Sequence, residues 1–225
     1  MTRKFSQLVF ALLLLVLAGG CARTGDNNAN KPSPVPRPTQ HAALKPGDYF
    51  PLQAGSTWTY QGSGNEFASF ERQVEYVKND FAQVREANGG TISSSIYRFS
   101  DSAVTRVYSK GESYDSTNAL ENGFASNDNT VIIQAPLNKG SNWQNDDNIK
   151  REIVSLSASV ATPAGTFKNC LHIKWYGSDY VTNEYYAKGV GLVKREFISG
   201  GQTISSTLEK YTLAGKASEK PTNGQ

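Results

Sequence analysis

The stretch Phe81–Phe99, FAQVREANGGTISSSIYRF, decides the fold of this chain. Phe81–Glu86 and Thr91–Phe99 flank Ala87-Asn88-Gly89-Gly90. Both flanks carry residue types that suit a pleated, half-buried surface. Asn-Gly and Gly-Gly accept positive φ, so the tetrapeptide predicts a hairpin turn. Strands joined by so short a turn must pair antiparallel.

The same pattern recurs on both sides. In Ala68–Tyr76, alternation places Ala68, Phe70, Val74 and Tyr76 on one face, with Arg72 interrupting it. Val104–Tyr108 follows a Ser-Asp-Ser turn, and Ile149–Ala161 sets Val154, Leu156, Ala158 and Val160 against serines. Thr162-Pro163-Ala164-Gly165 predicts a turn. Thr166–Tyr176 then puts Phe167, Leu171, Ile173 and Trp175 on one face, and Tyr180–Ala187, Leu192–Phe197 and Thr203–Leu213 complete the strands. Proline is rare from Gly47 to Leu213, at Pro51, Pro136 and Pro163 only, and helix-period stripes are lacking. The fold expected is all-β: a large, strongly curved antiparallel meander, half-barrel or barrel-like, with little helix outside the leader. Residues 47–213 form one β domain of ordinary size, and 214–225 a disordered tail.

Within this domain Pro51-Leu52-Gln53-Ala54-Gly55-Ser56-Thr57-Trp58 is echoed 85 residues later by Pro136-Leu137-Asn138-Lys139-Gly140-Ser141-Asn142-Trp143. The shared pattern is P-L-x-x-G-S-x-W. Glycine permits a tight reversal, and the tryptophan can dock on a sheet face. Duplication and convergent turn chemistry account for one such pair equally well. Core packing is the favoured role for Trp58 and Trp143. Lys110–Thr130, KGESYDSTNALENGFASNDNT, lacks strand pattern, and one helical turn is expected around Asn118–Asn122. Loops of this length are commonly binding loops or lids, which makes it the sequence's candidate functional segment.

The start of the chain states where the domain works. Arg3 and Lys4 precede ten apolar residues, Leu8–Leu17. A spanning helix needs about 20, so this is an export signal. Small residues Ala18, Gly19 and Gly20 lead to Cys21. Leu17-Ala18-Gly19-Gly20-Cys21 resembles the lipobox of bacterial lipoproteins, with the leucine one place further from the cysteine than usual. The resemblance implies a signal peptide over 1–20, cleavage before Cys21, and a diacylglyceryl group on its thiol. Two acyl chains suffice for stable anchoring where one is marginal. Residues 21–46 then form a lipid-anchored, disordered tether. Ala22–Pro46 has five prolines and no aromatic residue, a composition that cannot repay its ordering entropy. Pro32, Pro34, Pro36 and Pro38 favour stiff polyproline II. In Gram-negative lipoproteins Asp after the cysteine resembles a retention signal for the inner membrane. Ala22 implies the outer membrane where the source has one.

Removing Arg3 and Lys4 with the leader reduces the formal net charge from +3 to +1. No basic stripe points to nucleic acid. Cys170 would be the one remaining thiol, without a disulfide partner. Cys170, His172 and Lys174 share a strand face by alternation, but no further Cys or His completes a zinc set. Asp128 and Asp146-Asp147 sit in Asn-rich turns and miss the calcium-loop spacing, so they read as solvated turn residues. Tyr176, Tyr180, Tyr185 and Tyr186 form an aromatic group whose default role is packing. No nucleotide-binding, serine-hydrolase or zinc-protease motif occurs. No catalytic, cofactor or metal residues are therefore assigned, and no cofactor is expected.

Asp48-Tyr49-Phe50-Pro51-Leu52 through Trp58-Thr59-Tyr60, with Thr162–Cys170 and Tyr185–Lys194, resembles a class of bacterial envelope lipoprotein domains. That resemblance implies a curved antiparallel sheet similar to the LolA/LolB-like half-barrel, whose concave face can hold an acyl chain. The function expected is a membrane-anchored, non-enzymatic envelope lipoprotein whose curved sheet binds an apolar ligand or protein partner. A structural or assembly lipoprotein, and a hydrolase of envelope polymers using paired carboxylates, are the alternatives.

Overall fold

The computed structural model describes residues 43–146 and 148–215. The expected signal peptide, Cys21, almost all of the 21–46 tether, Asp147 and the tail from 216 lie outside the described residues. The described residues fold into twelve strands: β1 (Thr57–Ser63), β2 (Phe70–Lys78), β3 (Phe81–Asn88), β4 (Ile92–Phe99), β5 (Ala103–Lys110), β6 (Thr130–Gln134), β7 (Asn142–Gln144), β8 (Lys150–Thr162), β9 (Gly165–Tyr176), β10 (Tyr180–Ala187), β11 (Gly191–Ser199) and β12 (Gln202–Thr212). The one α-helical turn among the described residues, α1 (Ala119–Asn122), falls where the loop 110–130 predicts it, with Asn118 Oδ1 accepting from the Leu120 and Glu121 amides.

Every pairing is antiparallel, and the strand order is β6-β5-β4-β3-β2-β1-β12-β11-β10-β9-β8-β7. First and last strands are hydrogen-bonded to each other over Thr57–Ser63 and Ser205–Thr212. The two edges are therefore consecutive strands, β6 and β7, and the sheet is a nearly closed up-and-down barrel. Side chains cross the remaining seam. The Val131 amide donates to Asn145 Oδ1 at 2.9 Å, while the Val131 carbonyl accepts from Trp143 Nε1 at 3.1 Å and Asn145 Nδ2 at 3.2 Å. These bonds satisfy backbone groups that an open edge would leave exposed for association.

Three of these strands, β1, β6 and β7, are absent from the expected set. β6 and β7 are too short for alternation to show. In β1, Trp58 and Tyr60 do alternate, but the flanking glycines and serines mask them. The 81–99 hairpin forms with different turn chemistry. Neither Gly89 nor Gly90 has a positive φ. Instead Asn88 Oδ1 accepts from the Gly90 and Thr91 amides at 2.9 and 2.8 Å, an Asx-type turn. A Cβ on Gly90 would lie 2.6 Å from the Phe67 ring, so the glycine serves close packing. Tyr76 does not share the face of Phe70 and Val74, because a bulge between Val74 and Tyr76 shifts the register.

The P-L-x-x-G-S-x-W copies are the same structural unit. Gly55 and Gly140 have φ of 88° and 89°. Their amides each donate 2.8 Å bonds, to Val74 and Ile153 carbonyls respectively. The Val74 and Ile153 amides return bonds to the Ser56 and Ser141 carbonyls at 3.0 and 2.8 Å. Trp58 then pairs across strands with Arg72, and Trp143 with Arg151. Each copy thus opens one six-strand half, β1–β6 or β7–β12, with a tight turn, a buried tryptophan and a buried arginine.

One end of the barrel is plugged by the segment before β1. A 3₁₀ turn, Pro46–Tyr49, buries Tyr49 and leads to Phe50, whose ring lies 5.1 Å from Tyr97 and 6.2 Å from Tyr186. The Gly189 amide donates to the Asp48 carbonyl at 2.6 Å, and Trp58 Nε1 to the Val190 carbonyl at 2.7 Å. Near the same end the tip of the β8–β9 hairpin docks on β12, through Ala164 N–H and the Leu208 carbonyl at 3.1 Å.

Candidate functional site at the barrel mouth

The end opposite the plug is open. It is framed by the β1–β2 link, the β3–β4 turn and the start of β12. Among them lies a cavity of about 320 Å³ lined by Phe67, Phe70, Glu86, Asn88, Ser93, Arg195, Ile204 and Ser206, among others. Its floor is charged, and strand register explains why.

Arg72 on β2 faces Glu86 on β3, and Glu184 on β10 faces Arg195 on β11. Each pair of opposed residues projects to the same side of its sheet, here the interior. Arg72 donates Nε–H to Glu86 Oε1 at 2.6 Å, with Nη2 at 2.5 Å from the same oxygen. Arg195 donates Nε–H to Glu184 Oε1 at 2.8 Å, and Tyr186 Oη donates to Glu184 Oε2 at 2.6 Å. A third pair, Arg106 and Asp128, meets at 2.5 Å. The Arg72 guanidinium lies 5.5 Å from the Phe50 ring centre and 5.9 Å from that of Phe70, and Arg195 approaches Phe70 at 5.9 Å. Phe70 stacks on Tyr60 at 4.3 Å, whose hydroxyl donates to the Leu192 carbonyl at 2.9 Å.

Burial and charge act against each other here. Burial raises the cost of ionising Glu86, but Arg72 and then Arg195 outweigh it and hold its pKa below the usual carboxylate value. Burial would depress the arginines, yet Glu86 beside Arg72, and Glu184 beside Arg195, push both guanidinium pKa values further up. Tyr60 is pushed up to about 12, chiefly by burial. The cluster is therefore a fixed set of ion pairs with neutral phenols. Glu184 is enclosed, at 1% side-chain exposure. The Glu86 and Arg195 side chains retain 28% and 35% exposure, and both line the cavity.

The sequence offered one signal of this site, Arg72 breaking an apolar face. Glu86, Glu184 and Arg195 carried none, because a charged residue on a strand reads as solvated until its cross-strand partner and the face it shares with that partner are known. Asp128, expected as a solvated turn residue, instead accepts from Arg106, from Thr130 Oγ1 at 2.6 Å and from the Thr130 amide at 2.9 Å. Asp146 is exposed as expected.

The loop 110–130 does not cover the mouth. It straps the outer wall: Tyr76 Oη donates to the Ser116 carbonyl, and Gln83 bonds the Thr117 carbonyl and the Ala119 amide. Phe124 packs on Phe81 and Tyr108 at 5.8 and 5.9 Å. Gln83 is almost fully buried beneath this strap. Cys170 is fully buried in the core, with its thiol pushed up to about 11 by burial. His172 points to the other side of β9 from Leu171 and Ile173, stacks on Tyr185 at 4.2 Å and meets Asn183 Oδ1 at 3.0 Å. The two do not converge, and no metal-holding cluster occurs among the described residues. The four tyrosines also disperse. Tyr186 is interior, Tyr185 lies with His172, Tyr180 stacks on Phe197 at 5.0 Å, and Tyr176 sits under Lys150 and Lys174.

No protein-family model matches this chain, and no curated protein matches it. Two solved structures are similar in part. A candidate lipoprotein from Parabacteroides distasonis is 17% identical, with a TM-score of 0.48, covering 73% of this chain and 98% of the other. A candidate exported protein with a YmcC-like fold from Bacteroides fragilis is 18% identical, with a TM-score of 0.44, covering 73% of this chain and 99% of the other. Similarity at that level leaves function to be argued from this chain's own residues.

Proposed function

We propose that this protein is an extracytoplasmic, non-catalytic binding barrel of the cell envelope, anchored to a membrane by diacylated Cys21 and facing outside the cytoplasm. The expected leader over 1–20, with the lipobox-like Leu17-Ala18-Gly19-Gly20-Cys21 at its junction, supports the location. The open mouth, with its ionised floor, supports the binding role and is the observation that carries it. An acyl chain threaded along the barrel axis has no room. Phe50, Tyr60, Arg72, Tyr97 and Tyr186 fill the middle, each under 9% exposed. Binding is therefore assigned to the mouth. Glu86 is held ionised, which suits an acceptor of hydrogen bonds and not a general acid. That favours binding over hydrolysis of envelope polymers.

Fractionating cells that express the full chain, followed by mass spectrometry of the purified protein, tests this reading. The native chain is expected in the membrane fraction, starting at a Cys21 that carries diacylglycerol, and Cys21→Ala is expected to release it. An unmodified Cys21 in a soluble protein would overturn the anchored reading.

A further inference from the structure

The two charged groups that face the cavity are each half used. The hydrogen bond and the shortest ion-pair contact from Arg72 both fall on Glu86 Oε1, and among the described residues Oε2 accepts no hydrogen bond. Arg195 spends its Nε–H on Glu184, and its terminal nitrogens make no hydrogen bond to a protein acceptor among the described residues. Behind each exposed group stands a buried counter-charge, Arg72 behind Glu86 and Glu184 behind Arg195. The site is neutral overall, so it does not select for net charge. It presents one fixed negative and one fixed positive pole to the same small space.

The rim is apolar and aromatic. Phe67 is half-exposed over the cavity, and Phe70 and Ile204 line it. Phe197 opposes Ile204 on the next strand and stacks on Tyr180. Asn65 and Asn88 spend their side-chain oxygens on turn amides, at Phe67 and at Gly90 and Thr91. Their amide nitrogens are left as further donors beside the cavity.

We propose that the mouth is a binding site for small zwitterions with an apolar side chain, namely free α-amino acids and dipeptides. The ligand ammonium meets Glu86 Oε2, its carboxylate meets the terminal nitrogens of Arg195, and its side chain lies against Phe67 and Phe70. A planar guanidinium is the donor best matched to a carboxylate. A neutral sugar satisfies hydrogen bonds here but neither pole, whereas an anion or a cation alone satisfies one pole and meets the other unpaired. This assignment rests on the reading of the barrel as a binding protein and names the ligand class of that same mouth.

The test is isothermal titration of the full-length protein in detergent with L-phenylalanine and L-leucine, against N-acetyl-L-phenylalanine, L-phenylalanine amide and D-glucose. Saturable binding of the free amino acids is expected. Blocking either end should weaken it by at least about tenfold, the scale of one lost charged contact. Because the blocked ligands are tried on the unaltered protein, this arm does not depend on any variant folding. Glu86→Gln should remove the preference for a free amino group while leaving the requirement for a free carboxylate. Phe67→Ala, at a half-exposed position, should weaken all binding without altering either preference. Equal binding of blocked and free forms, preference for glucose, or no saturable binding up to about 10 mM would each overturn the proposal. Retention of a different ligand class, seen by native mass spectrometry, would sink the zwitterion and leave the binding-barrel reading standing. Failure of the anchored reading shows instead in fractionation.

Discussion

Arg72 places both Nε and Nη2 on the same oxygen of Glu86, at 2.6 and 2.5 Å, and Glu86 lines the cavity with its second carboxylate oxygen free of hydrogen bonds among the described residues. A symmetric fork would saturate the carboxylate. The lopsided pairing holds Glu86 ionised and still leaves it an acceptor. Arg195 does the converse with Glu184, keeping donors in hand.

Removing Arg72 strands a carboxylate that is mostly buried. Arg72→Met is expected to cost about 3 kcal/mol, the lower end for breaking a buried pair, because Glu86 keeps some access to cavity water. Arg72→Met combined with Glu86→Gln should recover part of that loss. Urea unfolding midpoints at constant slope measure both, and a double variant no more stable than Arg72→Met would contradict the pairing.

The pH dependence follows from the same pair. Glu86 has its pKa lowered in the folded chain, so the unfolded chain takes up the proton first as pH falls. Its contribution is complete above the ordinary carboxylate value of about 4.3. It declines below that and is lost as pH falls through the lower folded value. Glu86→Gln should therefore be less stable than the native chain near neutrality, by a margin that narrows in acid. His172, lowered mainly by burial, adds a decline that begins as pH falls below about 6.5. Melting temperatures of the native chain, Glu86→Gln and His172→Asn across pH 3–8 separate the two limbs.

Cys170 should behave as a core residue. Its thiol is pushed up to about 11 and is fully buried, donating weakly to the Phe167 carbonyl at 3.5 Å. Iodoacetamide at pH 8 is expected to leave the folded protein unlabelled at Cys170. In urea, labelling should rise with the unfolding transition. Fast labelling of the native state would show that β9 opens locally.

The seam between β6 and β7 rests on side chains in place of a ladder. Asn145→Ala removes the acceptor for the Val131 amide and one donor to its carbonyl. A loss of about 1–2 kcal/mol is expected, with amide exchange at Val131 faster by about tenfold. Exchange at the β1–β12 junction, which is a true backbone ladder, should not change. Trp143→Phe keeps most of the buried area but loses the indole donor to Val131, and should loosen the same seam less.

Most strands were legible because alternation and turns are local properties. Phe81–Phe99 reads as a hairpin in isolation, and Asn118 announces its single helical turn. Tyr76 was misplaced because one bulged residue reverses every later side chain, and a bulge leaves no mark in the residue types. The loop 110–130 drew notice for its length. Its role as an outer strap depends on Gln83, a polar residue buried beneath it on β3, which the strand pattern does not distinguish from a solvated one. The doubled P-L-x-x-G-S-x-W pattern was visible, but its equivalence required the hydrogen bonds of Gly55 and Gly140.

The residue pattern alone carries the antiparallel meander, since side-chain period and turn chemistry each act within a few residues; the expected leader over 1–20 is read from equally local composition. Only the tertiary structure decided that the meander closes on itself and that its interior is charged. Arg72, Glu86, Glu184 and Arg195 come from four strands in two halves of the chain. An ionised side chain becomes a buried ion pair only when closure removes the water around it and brings its opposite charge within hydrogen-bond reach.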